Sequence, residues 1–320
     1  MYTLIMEQYD SRIKIHKMDI PQIELNNGVK IPCIGNGPGI VGYSPRQDRI
    51  SNSLFKRAFR KFIIRPKQEY DYVDAVANSF KIGFSLLDYS SSYGDGHLIG
   101  KAIKKSGVSR NDLFITTRIS NQAQREQKVR ACLMSQLQGM GVDYVDMLMF
   151  HWPVTDLYID TWKEMVQLYK EGYCKCLGVA NCHKHHIEEL MKAADVVPSI
   201  NQFEVHPLFT QKDLIGYCWS KGIQVEAYTA IARFDDRLMR LPLLKNIAQK
   251  YHKTVVQVIL RWHVQTGVIP LVRSLNKNRQ LENVSIFDFE LTSNEMKAID
   301  AININSRLRY DPDNCDFSIL

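Results

Sequence analysis

Short apolar runs alternate with amphipathic helical segments along most of the chain. Eight runs have the length of a strand: CIG near residue 33, FSLLD near 84, LFITT near 113, VDMLMF near 145, CLGVA near 176, SINQF near 199, IQVEAY near 223 and VIPLV near 268. Between them apolar residues recur at helical spacing, as at Val73, Val76 and Phe80, and again at Val129, Leu133 and Leu137. Strands that are apolar on both faces and joined by helices are typical of a parallel sheet covered by helices.

Two parallel-sheet folds fit this alternation, and the number of units favours one of them. Eight β-α units in 320 residues predict a closed (β/α)8 TIM barrel. The alternative is an open doubly wound sheet, which needs a Gly-x-Gly-x-x-Gly turn leading into a helix if it binds a dinucleotide. The glycine-rich IGNGPG at 34–39 is not followed directly by an amphipathic helix. Before it, QIELNNGVKIP at 22–32 predicts a β-hairpin turning at Asn26-Asn27-Gly28.

We expect residues 1–320 to form one barrel domain with three additions, an N-terminal extension (1–21), an inserted basic segment (about 40–69) and a C-terminal tail (303–320). A hydrophobic content of 45% is enough for a large core. No apolar run reaches the roughly 18–20 residues that span a bilayer, and the start has no signal-like apolar stretch. Seven scattered cysteines indicate reduced thiols. The expected location is therefore cytoplasmic.

The charge pattern and the possible metal ligands exclude two classes of function. The 41 basic and 34 acidic residues are interspersed, so we expect no nucleic-acid partner. Cys174 and Cys176 share a face, but no second Cys or His pair lies at zinc spacing. The histidine-rich HKHH at 183–186 lies at a predicted helix start and is interpreted as a solvated helix end. We therefore predict no metal site.

Polar side chains follow the second, third and fourth predicted strands. Asp88 ends the second strand and Tyr93 lies on the loop after it, while Arg118 ends the third and His151 the fourth. In a parallel barrel the C-terminal ends of all strands meet at one rim, where active sites lie. These four groups are therefore the predicted catalytic residues.

Their chemistry suits the reduction of a carbonyl group. A free phenol has a pKa of about 10, and a neighbouring cation such as Arg118 lowers it and eases proton donation by Tyr93. Asp88 would hold Arg118, and His151 would orient the carbonyl oxygen through a hydrogen bond. No side chain supplies a hydride, so the reaction requires a nicotinamide cofactor.

Groups suited to that cofactor follow the later strands. Asn181 and Gln202 can hold a carboxamide, and Tyr228 offers a flat face to a nicotinamide ring. After the eighth strand, Arg273, Ser274 and Arg279 surround a predicted helix start, which favours the extra phosphate of NADP over NAD. A solvated basic loop is the alternative for this last group.

With these motifs the sequence resembles the aldo-keto reductase superfamily from about residue 22 to about 300. The resemblance is carried by LLDYSSSYG, HWP, GVAN, NQFEVHP, EAY and IPLVRSLNKNRQLEN. It implies a (β/α)8 barrel that transfers hydride from NADPH to aldehydes and ketones without a metal, with a C-terminal loop at the substrate pocket. The residues that it places at the family's positions are Asp88, Tyr93 and His151 for catalysis, Asn181, Gln202 and Tyr228 for nicotinamide, and Arg273, Ser274, Arg279, Glu282 and Asn283 for the adenosine phosphate.

The chain departs from the family pattern at four positions. Arg118 replaces the catalytic lysine, Ala180 a serine beside Asn181, Arg273 a lysine at the phosphate, and Gly96 a glutamate after the tyrosine. Arginine keeps the positive charge but is larger and planar. A second interpretation therefore stays open, in which the protein is an NADP(H)-binding sensor or a regulatory subunit with little turnover.

The inserted segment contains LFKRAFRKFIIRP at 54–66, which predicts a basic amphipathic helix. Such a helix can contact an anionic membrane or an acidic partner. The alternative is a surface helix whose apolar face packs on the barrel.

Overall fold

The computed structural model describes residues 18–38, 64–90 and 96–317. The first of these segments contains an antiparallel hairpin of β1 (Gln22–Glu24) and β2 (Lys30–Pro32), in which Ile23 lies opposite Ile31. Gly28 has a φ of 83°, which a residue with a side chain rarely adopts, and it donates a backbone hydrogen bond to Leu25. The hairpin predicted at 22–32 is therefore confirmed.

Eight parallel strands form a closed barrel. They are β3 (Gly35–Asn36), β4 (Leu86–Asp88), β5 (Phe114–Ile119), β6 (Val145–Phe150), β7 (Cys174–Ala180), β8 (Ile200–Glu204), β9 (Gln224–Tyr228) and β10 (Ile269–Val272). Each strand pairs with the next along the chain, and β10 closes the barrel against β3, with Leu271 opposite Gly35. The (β/α)8 barrel is confirmed. The first strand begins two residues later than the predicted CIG run.

Helices cover the outside of the barrel. They are α1 (Arg65–Ile82), α2 (Gly96–Ser106), α3 (Asn121–Arg125), α4 (Val129–Met140), α5 (Tyr158–Lys170), α6 (Lys184–Ala193), α7 (Lys212–Ser220), α8 (Asp236–Met239), α9 (Pro242–Lys250), α10 (Val255–Thr266), α11 (Lys277–Val284) and α12 (Ser293–Asp300), with short 3-10 turns at Arg110–Asp112 and Ala232–Phe234. The faces predicted from helical spacing are buried in α1 and α4. Among the described residues, no helix is both long enough and apolar enough to cross a bilayer.

The core has two layers, and the hairpin belongs to the inner one. Leu25 and Ile31 pack with Leu86, Met147 and Ile200 inside the barrel, while the larger layer lies between strands and helices. The side chain of Asn27 donates to the backbone oxygen of Lys175, where β7 begins, at 3.0 Å, so the hairpin lies at the N-terminal end of the strands. The opposite end, where the strands terminate, is the one available for chemistry.

The C-terminal tail reaches that opposite end. The carboxylate of Glu204, at the end of β8, accepts the backbone N–H groups of Leu308 and Arg309 at 2.8 and 2.9 Å. Burial alone would raise the pKa of Glu204, but hydrogen bonds from His206 and from the tail outweigh it and lower the pKa overall. Further along, Phe317 packs near Trp152, the residue after His151. The tail thus lies beside the strand ends.

The basic amphipathic helix predicted over 54–66 lies outside the described residues, apart from 64–66 where α1 begins. The possible membrane or acidic partner of this segment therefore stays a prediction.

We expect Leu133→Ala in α4 to lower the free energy of unfolding by about 2–5 kcal/mol, because Leu133 is completely buried between helix and barrel. Denaturant unfolding followed by circular dichroism measures the change. Gln138→Ala on the exposed face of α4 is the matched control, with an expected effect within about 0.5 kcal/mol. Equal effects of the two substitutions would contradict the packing described here.

Candidate active site

Asp88 and Arg118 meet at the ends of β4 and β5. Arg118 Nη2 donates to Asp88 Oδ1 at 2.6 Å, and Arg118 is only 1% exposed. Removing either charge from water is costly, and a close partner of opposite sign offsets part of that cost. The pair therefore fixes the guanidinium at the rim of the barrel.

The same guanidinium nitrogen reaches across the barrel. Arg118 Nη2 also donates to Gln202 Oε1 at 2.6 Å, and Gln202 Nε2 donates to Glu226 Oε2 at 2.8 Å. A continuous polar chain thus connects β4, β5, β8 and β9. Burial, followed by the negative charge of Asp88, raises the pKa of Glu226 to about 8. Burial and the charge of Asp88 therefore favour the protonated form of its carboxyl group.

Glu226 was not among the predicted site residues. The available signal was an acid within the apolar strand run IQVEAY, where a charged residue is not expected without a partner. The partner, Gln202, lies opposite Glu226 in the register of β8 and β9, and this pairing could not be read from the local sequence.

His151 lies directly after β6. Its backbone oxygen accepts a hydrogen bond from Asn181 Nδ2 at 3.0 Å. Burial lowers the pKa of the imidazole to about 3, and the positive charges of Arg118 and of Arg309 in the tail act in the same direction. The ring is therefore neutral at physiological pH, and it can hydrogen-bond a carbonyl oxygen without carrying a charge.

Tyr93, the predicted proton donor, lies outside the described residues. The described chain stops at Ser90 after β4 and resumes at Gly96, the first residue of α2. Of the four predicted catalytic groups, the structure thus brings Asp88, Arg118 and His151 to one rim.

The residues predicted to bind nicotinamide also lie together. Tyr228 donates to Asn181 Oδ1 at 2.6 Å, and the backbone N–H of Asn181 donates to the backbone oxygen of Gln202 at 2.8 Å. Asn181 has a φ of 59°, a left-handed conformation that asparagine adopts more readily than most residues. Beyond its hydrogen bonds to other described residues, each amide side chain keeps one N–H hydrogen and one oxygen lone pair, which is the donor and acceptor set that a carboxamide requires.

The predicted phosphate residues surround the start of α11. Asn276 caps the helix by accepting the backbone N–H of Arg279 at 3.1 Å, and Ser274 accepts the N–H of Asn276 at 3.1 Å. Arg273 and Arg279 are exposed. A helix N-terminus beside two guanidinium groups fits a phosphate.

The two other predicted residues of this site lie within and behind α11. Glu282 Oε1 accepts a hydrogen bond from Thr254 Oγ1 at 2.8 Å, so Glu282 already joins α11 to the start of α10. Asn283 is buried. Both lie on the helix that carries Arg279.

The comparisons with known proteins agree with this geometry. Residues 61–304 match the model of the Aldo/keto reductase family. This chain belongs to that family. It is 35% identical over 291 residues to the glyoxal reductase of Bacillus subtilis, covering 91% of this chain and 96% of that protein. The methylglyoxal reductase DkgA of Escherichia coli is 33% identical over 245 residues, with 76% of this chain and 88% of that protein covered.

Solved structures of the family resemble this aldo-keto reductase along most of its length. The aldo/keto reductase of Brucella melitensis is 34% identical, has a TM-score of 0.76 and covers 89% of this chain and all of its own. A Bombyx mori aldo-keto reductase in complex with NADP is 30% identical, with a TM-score of 0.77, and covers 92% of this chain and 97% of its own. The protein is thus an oxidoreductase of this family, and relatives of the same fold bind NADP(H).

The histidine-rich segment of this aldo-keto reductase begins α6, as predicted, but it is not simply solvated. His183, His185 and His186 all face Asp313 of the tail, and the His183–Asp313 contact is 2.7 Å. His186 is buried, and its Nδ1 accepts the backbone N–H of His183, which leaves the proton on Nε2. The ring centroids of His185 and His186 lie 3.9 Å apart, and the ring planes are tilted by 38°. In this tautomer His186 presents a proton rather than a lone pair on the Nε2 that faces Asp313, so His186 suits an anchor for the tail.

We expect Asp88→Asn to destabilise the protein by about 3–5 kcal/mol, because it removes the carboxylate that is bonded to the buried Arg118. The exposed pair of Arg130 and Glu171 provides the control, and Glu171→Gln should leave the unfolding midpoint almost unchanged. Denaturant unfolding compares the two variants. A small effect of Asp88→Asn would show that Arg118 has another counter-charge.

Proposed function

We propose that this protein is an NADPH-dependent reductase of small aldehydes and ketones. The observation that carries the proposal is the buried Asp88–Arg118 pair at the same rim as the neutral His151 and the amides of Asn181 and Gln202. NADPH, when bound by these residues, would supply the hydride for the carbonyl carbon. The proposal takes residues 1–320 as one cytoplasmic domain that acts on a small carbonyl or alcohol.

Each side chain has a defined part in this reaction. Tyr93 donates the proton to the carbonyl oxygen, and the positive charge of Arg118 favours the phenolate that remains. Asp88 holds the guanidinium in place. The neutral imidazole of His151 orients the carbonyl oxygen by a hydrogen bond. The reverse oxidation of an alcohol uses the same groups, so the ratio of reduced to oxidised cofactor sets the direction.

The names of two relatives support a substrate class. These two are named as reductases of glyoxal and methylglyoxal, and they match this chain at 35% and 33% identity. We therefore include small dicarbonyl compounds among the proposed substrates. The tail from Leu308 to Phe317 lies beside the rim and would form one side of the pocket.

A second candidate is an NADP(H)-binding sensor or regulatory subunit with little turnover. The observation that favours it is Arg118, which stands where the family has lysine and bonds Gln202 as well as Asp88. Arginine is effectively never deprotonated, and its planar group places its donors differently from an ammonium.

Loss of NADPH absorbance in the presence of methylglyoxal and a panel of aldehydes separates the two candidates. We expect turnover by the natural protein, and we expect Tyr93→Phe to lower kcat by about 10²–10⁴-fold, because a general acid is lost. NADPH affinity, measured by quenching of protein fluorescence, should stay unchanged in that variant. Tight NADPH binding with no turnover of any carbonyl would instead support the sensor.

Cofactor preference tests the proposed phosphate site. Arg273→Ala should raise the KM for NADPH by about 10–100-fold, the loss expected for one hydrogen bond to a charged group, and change the KM for NADH little. Arg240→Ala, an exposed arginine in another helical region, is the control and should change neither value. Equal effects on both cofactors would place the phosphate elsewhere.

A further inference from the structure

A turn in the C-terminal tail brings two carboxylates together. The backbone N–H of Asp313 donates to Asp311 Oδ1 at 3.1 Å, and the backbone N–H of Asn314 donates to the backbone oxygen of Asp311 at 3.1 Å. Pro312 lies between the two acids and restricts the turn, because its ring fixes the backbone angle φ. The two carboxylates are therefore held on one short loop beside the start of α6.

Two histidines of α6 approach Asp313 from different sides. Asp313 Oδ2 lies 2.7 Å from His183 Nδ1, and Asp313 Oδ1 lies 3.3 Å from His185 Nε2. His183, Asp311 and Asp313 each offer one ligand atom, and these three atoms lie within 4.8 Å of one another. The side chain of His185 is 55% exposed, so it can turn towards the same point and complete a set of four ligands.

His186 supports this cluster from its buried side without being a ligand. Its Nδ1 accepts the backbone N–H of His183, and its protonated Nε2 lies 3.8 Å from Asp313 Oδ1. The ring of Tyr158 packs edge-on against the ring of His186, with the centroids 5.3 Å apart. Partners of this kind hold metal ligands in orientation, and their loss typically lowers metal affinity by about 10–100-fold.

A cavity of about 400 Å³ opens beside the cluster. Its lining includes Asp313 and His185, together with Asp156 in the loop after β6 and Glu189 of α6. The cavity gives an ion a path from solvent, and its lining adds the carboxylates of Asp156 and Glu189 to the charge of the site.

Two features of the surroundings oppose a cation, and the carboxylates offset them. The N-terminus of α6 carries a partial positive charge, and Arg307 Nη2 lies 3.7 Å from Asp311 Oδ2. That distance is too long for a hydrogen bond, so Asp311 is available to an ion. The negative charges of Asp311 and Asp313 compensate for both features.

We propose that two histidines of α6 and two aspartates of the tail form a zinc site that fastens the tail to α6. The ligands are His183, His185, Asp311 and Asp313. Imidazole ligands favour zinc over magnesium and calcium, which take oxygen ligands. Two ligand atoms of a tetrahedral zinc ion are about 3.3 Å apart. The distance from His185 Nε2 to Asp313 Oδ1 has this value.

This site is separate from the polar rim of Asp88 and Arg118, so its role is structural. The inference does not depend on the proposed reductase function, because zinc binding is measured without NADPH or a carbonyl. Zinc spacing could not be read along the chain, because His183 and Asp313 lie 130 positions apart.

Calorimetric titration of the metal-free, full-length protein with Zn²⁺ tests the site. The natural protein should bind one ion at the cluster, and His183→Ala and Asp313→Ala should each lower the affinity by at least about tenfold, because each removes a ligand. His252→Ala and Asp195→Ala make the same substitutions at exposed positions elsewhere and should leave the affinity unchanged. Failure of the natural protein to bind, or equal binding by Asp313→Ala, would overturn the inference.

A thiol is the competing zinc ligand, because Cys315 lies two residues after Asp313. Cys315→Ser should keep the zinc affinity of the natural protein. A loss as large as that in Asp313→Ala would show that the thiol binds the ion and that the proposed ligand set is wrong.

Hydrogen exchange of the natural protein tests the attachment of the tail and needs no variant. Zn²⁺ should slow the exchange of backbone amides in residues 305–317 and leave β5 and β6 unchanged, because the ion joins the tail to α6. Zinc binding with no added protection in the tail would contradict its role as a fastening.

Discussion

The contact between Asp88 and Arg118 joins two neighbouring strands at the rim where all eight strands end, and the electrostatics of this rim depend on it. Arg118 is buried, so its charge acts over several ångströms with little screening by water. Burial and the charge of Arg118 together keep His151 neutral. Arg118 also orients the amide of Gln202, because it donates to the oxygen of that amide across the barrel. Removing the cation would therefore affect the two groups His151 and Gln202.

The barrel separates stability from chemistry by using its two ends differently. At the N-terminal end, the hairpin inserts Leu25 and Ile31 into the inner core layer. At the C-terminal end, Glu204 holds the tail through two backbone N–H groups, and Asp313 holds it against the start of α6. The tail is thus attached to the end of the barrel that carries the polar rim. A change in the tail would therefore alter the surroundings of the site.

Arg118 shows how one departure from a family pattern affects its neighbours. A lysine has a single compact ammonium, whereas a guanidinium nitrogen here donates to both Asp88 and Gln202. The reach across the barrel brings Gln202, and through it Glu226, into the same hydrogen-bonded chain. The hydrogen-bonded chain at the rim therefore has four members, Asp88, Arg118, Gln202 and Glu226.

The fold and the list of rim residues could be read from the sequence, because strand runs and helical spacing are local patterns. The runs ending at Asp88, Arg118 and His151 placed these residues correctly, since parallel strands bring their C-terminal ends to one rim. The role of Glu226 could not be read, because it depends on the register between β8 and β9. The anchoring of the tail by Glu204 and Asp313 also joins residues more than a hundred positions apart. Sequence patterns determined which groups reach the rim, and only tertiary packing decided which of them bond to each other, because burial and distance are properties of the folded chain.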